Sequence, residues 1–65
     1  MKSYSSREVI QILKADGWYE YGCNGDHYQY KHPNKKDKVT VTHPVKDIPL
    51  PTLKSIERQS GVVFP

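Results

Sequence analysis

The pair Asn24-Gly25 stands between two runs in which aromatic and polar residues alternate, Trp18 to Cys23 and Asp26 to His32, and no other feature limits the fold as sharply. Such a pair between period-two runs predicts a β-hairpin closed by a type I′ turn. With Asn24 and Gly25 as the loop residues, Cys23 faces Asp26, Gly22 faces His27, Tyr21 faces Tyr28, Glu20 faces Gln29, Tyr19 faces Tyr30 and Trp18 faces Lys31. That register collects all four hairpin tyrosines on one face. The other face carries Glu20, Gly22, His27, Gln29 and Lys31, with Trp18 at its end. The tyrosine face is expected under the rest of the chain and the His27 face in solvent.

A helix precedes the hairpin. Ser5 is placed as N-cap with Glu8 three residues on, Tyr4 can staple against Val9, and Val9, Ile10, Ile12 and Leu13 group at helical spacing. Gly17 ends this helix, predicted over residues 6–16, and Trp18 can pack back on Leu13. After the hairpin, residues 33–38 read as a polar, lysine-rich turn, followed by a third strand over 39–43 with Val39 and Val41 inward. Pro44, Pro49 and Pro51 make the next connection irregular. A second helix then starts between Pro49 and Thr52, buries Leu53 and Ile56, and stops at Gly61. Residues 62–65 form a short apolar tail, either packed or open to a partner. The order is helix, three strands, helix, in a single domain over residues 1–65.

At 65 residues the chain lies near the lower size limit for independent folding. So small a core leaves no deep cleft, and a shallow site on an open face is expected. A formal charge of +3 favours an anionic partner only mildly. The clustering says more, since Lys31, Lys35, Lys36 and Lys38 fall close together against Asp37 alone. One cysteine, Cys23, cannot form an internal disulfide and fits a reducing cytosol. Neither a signal-peptide-like stretch nor an apolar run of membrane-spanning length is present, so a cytoplasmic protein without a membrane role is expected.

Three groups of residues bear on chemistry. His27 stands on the exposed hairpin face, where an imidazole can take the proton of an RNA 2′-hydroxyl or return one to a leaving 5′-oxygen. Gly22 opposite it leaves room for a ribose-phosphate. Lys31 lies roughly 13 Å along the strand, better placed for a neighbouring phosphate than for the same one. The plain alternative is a surface histidine without a role, because isolated titratable groups are common. His27, His32, His43 and Cys23 do not have metal-ligand spacing, so no metal and no cofactor are expected. His43, at a strand end before Pro44, reads as structural. Cys23 lacks a cationic neighbour or helix N-terminus to activate it. Lys35, Lys36 and Lys38 either contact phosphates or form a solvated turn, and Lys54 with Arg58 can extend a positive track along the second helix.

The string Gly25-Asp26-His27-Tyr28-Gln29-Tyr30-Lys31-His32-Pro33 resembles the signature of the HicA toxin family. So do Asp16-Gly17-Trp18 at the end of the first helix, Val39-Thr40-Val41, His43-Pro44, Lys46-Asp47-Ile48-Pro49, Thr52-Leu53-Lys54-Ser55-Ile56 and Gln59-Ser60-Gly61. The resemblance spans nearly the whole chain. It implies an α+β fold like that of double-stranded-RNA-binding domains, an α-β-β-β-α sandwich with both helices on one face of a three-stranded antiparallel sheet. It also implies a metal-independent endoribonuclease, an mRNA interferase that blocks translation with His27 as general acid and base. Gln29, Lys31, Lys35, Lys36 and Lys38 then serve as substrate-binding residues. The implied partners are mRNA and a HicB-type antitoxin that covers the His27 face.

One position departs from the family pattern, which commonly has serine where this chain has Asp26. If that serine orients a phosphate, a carboxylate repels it. If Asp26 shares a side with Cys23 and the tyrosines, its charge points away from the substrate. Either His27 alone acts as base and then acid, or Tyr28, Lys31 or a water assists it. The competing reading of the same fold is a non-catalytic module that binds double-stranded RNA, and a third is a protein that binds only another protein through its sheet.

Overall fold

A computed structural model describes residues 3–64. The elements follow the order α1 (Ser6–Ala15), β1 (Tyr19–Asn24), β2 (His27–His32), β3 (Lys35–Thr42) and α2 (Leu50–Ser60). This is the α-β-β-β-α arrangement expected, with a three-stranded antiparallel sheet in the order β1-β2-β3.

Helix α1 begins where its capping chemistry says it should. The Ser5 hydroxyl accepts from the Glu8 amide at 3.2 Å, and the Glu8 carboxylate accepts from the Ser5 amide at 2.9 Å, so two otherwise unpaired donors are satisfied. Ser6, Val9 and Leu13 form its buried stripe at helical spacing. At its end the Trp18 amide donates to the Leu13 carbonyl at 3.0 Å. Helix α2 has no side-chain cap; Pro49 and Pro51 set its start by their fixed backbone angle, and Gly61 ends it in the left-handed conformation at φ 72°. Leu53, Ile56 and Ser60 are its buried residues.

Both helices lie on one face of the sheet, chiefly over β3. Val9 and Leu13 of α1 meet Leu53 and Ile56 of α2 over Tyr30, Val39 and Val41 of the strands, and Tyr4, Trp18 and Phe64 close the cluster. Each of these side chains contributes roughly 1.5–3 kcal/mol by leaving water. The tail is thereby placed: Phe64 packs against Tyr4 at 5.5 Å between ring centres, while Val63 is exposed. Ahead of α2, the connecting segment ties back to the start of α1, where the Ser6 amide donates to the Val45 carbonyl and the Ile48 amide to the Tyr4 carbonyl, both at 2.9 Å.

The hairpin register differs from the one predicted. The two-residue turn is Gly25-Asp26, so Asn24 pairs with His27, Cys23 with Tyr28 and Gly22 with Gln29. A type I′ turn on Asn24-Gly25 would put Asn24 at positive φ, yet Gly25 (φ 65°) is the positive-φ residue here. A turn with glycine at its first central position needs only one such residue, which glycine supplies without steric cost. The register then slips by one at Tyr21, so that Glu20 pairs with Tyr30 and Tyr19 with Lys31.

This bulge reassigns the faces. Tyr30 is buried and Tyr28 half-buried on the helix side, but Tyr19 and Tyr21 are 50% and 37% exposed. Trp18, expected at the end of the His27 face, is instead buried in the core. The tyrosine face of the prediction is therefore split, and two of its members, Tyr19 and Tyr21, join the opposite side. β3 also starts earlier than expected. The turn before it is only Pro33-Asn34, and Lys35, Lys36 and Lys38 are strand residues.

Candidate nucleic-acid interface

The face of the sheet turned away from the helices carries the candidate site. On β2, His27, Gln29 and Lys31 alternate with Tyr28, Tyr30 and His32 and so point to the uncovered side. Their cross-strand partners there are Asn24, Gly22 and Tyr19 on β1 and Thr42 and Thr40 on β3. His27 thus faces Asn24; the open glycine is one pair further along, opposite Gln29, with nothing within 4 Å of where its Cβ would be.

The three histidines occupy different circumstances. His32 is nearly enclosed: its Nδ1 accepts from the Asn34 amide at 3.0 Å, so Nε2 carries the proton and donates to the Asp16 carbonyl at 2.7 Å, while its ring meets Trp18 edge-on. His43 lies with Nδ1 2.7 Å from the Ser6 hydroxyl and packs edge-on against Tyr28. His27 is exposed, and its one close polar neighbour is Asp26, whose Oδ1 is 3.6 Å from Nδ1. Nε2 has no hydrogen-bond partner among the described residues. Asp26 occupies the turn beside the imidazole, not a position shared with Cys23 and the tyrosines, which removes the geometry that would have carried its charge away. Both groups are more than half exposed, so water screens their attraction.

The lysines also separate. Lys35 is drawn to the helix ends, where its ammonium donates to the Asp16 carboxylate at 2.8 Å and to the Ser60 carbonyl at 2.7 Å, above the Trp18 ring. It closes the C-termini of α1 and α2 together, where the helix dipoles favour a cation. The Lys35 hydrogen bond, together with its charge, holds the Asp16 carboxyl below its ordinary value against a smaller opposing effect of burial. Lys31 and Lys38, by contrast, converge over the Tyr21 ring, at 4.5 and 5.9 Å from its centre. Lys36 is exposed on β3 in the irregular stretch opposite Lys31.

Of the residues singled out from the sequence, His27, Gln29, Lys31 and Lys38 share one face, and Lys35 does not join them. Tyr21 was missed. Its hydroxyl donates to Gln29 Oε1 at 2.8 Å, which places it in the middle of that face. The available signal was Gly22, since a glycine inside a strand often marks a bulge. Among the described residues no three of His, Cys, Asp and Glu gather where they could hold a metal ion. A hollow of about 390 Å³, lined by groups such as Val41, Val45, Ile48 and Ile56, opens between the end of β3 and the start of α2, and none of the predicted site residues lines it.

A family model of the HicA toxin of bacterial toxin-antitoxin systems matches residues 6–62, all but the ends of the chain. The chain belongs to the HicA toxin family. Membership gives this HicA protein a toxin role and, with it, an antitoxin as partner in general terms. No individual curated protein matches the chain. No helix among the described residues of this HicA chain is long and apolar enough to cross a membrane.

Proposed function

We propose that the toxin acts as an endoribonuclease on mRNA, with His27 as the proton-transferring group and no metal in the chemistry. The observation that carries this reading is the contrast among the histidines. His32 and His43 have ring nitrogens committed to the fold, whereas the exposed His27 has no hydrogen bond at Nε2 among the described residues and stands on a face that also holds Gln29, Lys31 and Lys38. In the proposed reaction the ribose 2′-oxygen attacks the adjacent phosphorus as its proton passes to His27. The bond to the 5′-oxygen breaks, that oxygen takes a proton, and a 2′,3′-cyclic phosphate and a 5′-hydroxyl are left.

Lys31, Lys38 and the exposed Lys36 bind phosphates of the strand in this reading, and Gln29 contributes a polar contact beside the histidine. Lys35 is left out, because its ammonium already satisfies a carboxylate and a helix-terminal carbonyl. The partner is a HicB-type antitoxin seated on the His27 face. An antitoxin there blocks substrate and histidine at once, which a shallow site on an uncovered sheet makes easy to achieve.

The test is cleavage of a cellular mRNA by purified wild type and His27→Ala, with and without EDTA. Cleavage by wild type that survives EDTA and disappears in the folded variant supports the reading. Equal cleavage by the variant would remove His27 from the chemistry, and loss of wild-type cleavage in EDTA would show a metal enzyme. Salt-sensitive RNA binding with no product would favour the non-catalytic module.

A further inference from the structure

Tyr21 stands at the centre of a small cluster that the histidine chemistry does not use. Its hydroxyl hydrogen goes to Gln29 Oε1, so the Gln29 carbonyl is satisfied and its amide Nε2 is left with two donors. Its ring lies within 6 Å of two ammonium groups, Lys31 at 4.5 Å and Lys38 at 5.9 Å, both at distances where the ring's negative face attracts a cation. Lys31 comes from β2 and Lys38 from β3, and like charges drawn to one ring repel each other unless an anion joins them. Neither ammonium meets a carboxylate among the described residues. The cluster therefore offers amide donors and positive charge with no carboxylate to compensate them.

We propose that Tyr21 is a positioning residue that assembles a phosphate subsite from Gln29 Nε2, Lys31 Nζ and Lys38 Nζ, and that this subsite holds a phosphodiester flanking the one that His27 cleaves. The proposal rests on the reading of RNA as substrate. Gln29 is the next residue on the same side of β2 from His27, roughly 7 Å along the strand, and Lys31 is roughly twice as far. The subsite is thus too distant to share the scissile phosphate and close enough to fix the strand running through it. The bound phosphodiester carries one negative charge, and its neutralisation by the two lysines releases counterions, so binding through the subsite is salt-dependent. The bulge at Tyr21 builds the arrangement, because it turns this ring to the uncovered side, where its hydroxyl reaches Gln29.

The probe is a 2′-O-methyl RNA oligonucleotide, which can bind but cannot be cleaved, titrated into the full chain carrying His27→Ala across a salt series. Adding Tyr21→Leu, which removes ring and hydroxyl, should weaken binding at least about tenfold. It should also lower the slope of log affinity against log salt by about one, the change expected when one phosphate contact is lost. Tyr21→Phe keeps the ring, and should hold the salt slope of the parent while losing a smaller part of the affinity. In cleavage assays with His27 present, Tyr21→Leu should raise KM with kcat little changed. If a folded Tyr21→Leu protein kept the parent's affinity and slope, or if Tyr21→Phe matched Tyr21→Leu in slope, the subsite would be overturned. Tyr21-dependent, salt-sensitive binding by a wild type that makes no product would instead sustain the subsite and sink the nuclease reading.

Discussion

Among the described residues no buried polar side-chain atom lacks a partner, and on the uncovered side of the sheet the same residue types are left unspent. His32 bridges the Asn34 amide and the Asp16 carbonyl, while the exposed His27 on the same strand has only Asp26 near its Nδ1. Lys35 joins the ends of α1 and α2, while Lys31 and Lys38 hover over an exposed tyrosine without a carboxylate. In a chain this short a buried polar group without a partner would cost a large part of the total stability, so the covered side must satisfy its own. The uncovered side is under no such demand. Groups with spare donors there cost nothing in water and are available to a ligand, which is why residue type alone does not separate structural from functional histidines and lysines.

Substitutions on the two sides should break in different ways, and the largest separation is expected at His27. His27→Ala should lower RNA cleavage at least about 100-fold, the usual scale for losing a general acid or base, and leave the thermal midpoint close to that of wild type. Growth arrest on induction should vanish with it. Trp18→Ala should show the opposite pattern, costing about 3–5 kcal/mol through the cavity left in the core. For a domain of this size that loss empties most of the folded population, seen as a collapsed denaturant midpoint; a midpoint within experimental error of wild type would contradict the burial of Trp18.

An intermediate effect is expected at the contact between α1 and β2. His32→Ala should cost about 1–3 kcal/mol, because the Asn34 amide and Asp16 carbonyl lose their shared partner. Activity per folded molecule should be retained, and a variant that is stable yet inactive would move His32 into the chemistry. Gly17→Ala should destabilise in the same range. It adds a Cβ at φ 105°, and that atom would lie 2.8 Å from His32 Nε2.

The smallest effect concerns pH. Asp16 titrates below its ordinary value of 3.8 in the folded protein, chiefly because Lys35 donates to it. Stability from this contact is present above pH 3.8 and is lost as the pH falls through the lower folded value. Thermal midpoints measured from pH 6 down to pH 2 should therefore fall less steeply at the acid end for Lys35→Met than for wild type. Parallel curves would show that the contact is absent in solution.

Helix α1 was legible in the sequence down to its first hydrogen bonds, because capping depends on residues three apart and on nothing else. The element order, the stop at Gly61 and the inward placement of Val39 and Val41 were legible for the same reason, each resting on a local period or a single backbone preference. The hairpin shows where this ends. That Gly25 lies in the turn was evident, but whether its partner in the loop was Asn24 or Asp26 was a choice between two turns of similar local merit. The bulge at Tyr21 left only Gly22 as a local mark, and which side the Tyr21 ring would take was not legible from it, because that depends on how β1 pairs with β2 once Trp18 is buried.

The sequence by itself determined the elements, the alternation that puts His27, Gln29 and Lys31 on one side of β2, and a histidine-bearing hairpin that resembles the family shown by comparison. Only the tertiary structure decided which side chains share a face across strands. It sent Trp18 inward and Tyr21 outward, set Asp26 beside the imidazole, and divided Lys35 from Lys31 and Lys38. The reason is the period of two. One residue of slip exchanges every side chain between core and solvent, and here the slip accompanies the burial of Trp18 in a core built from both helices and the sheet.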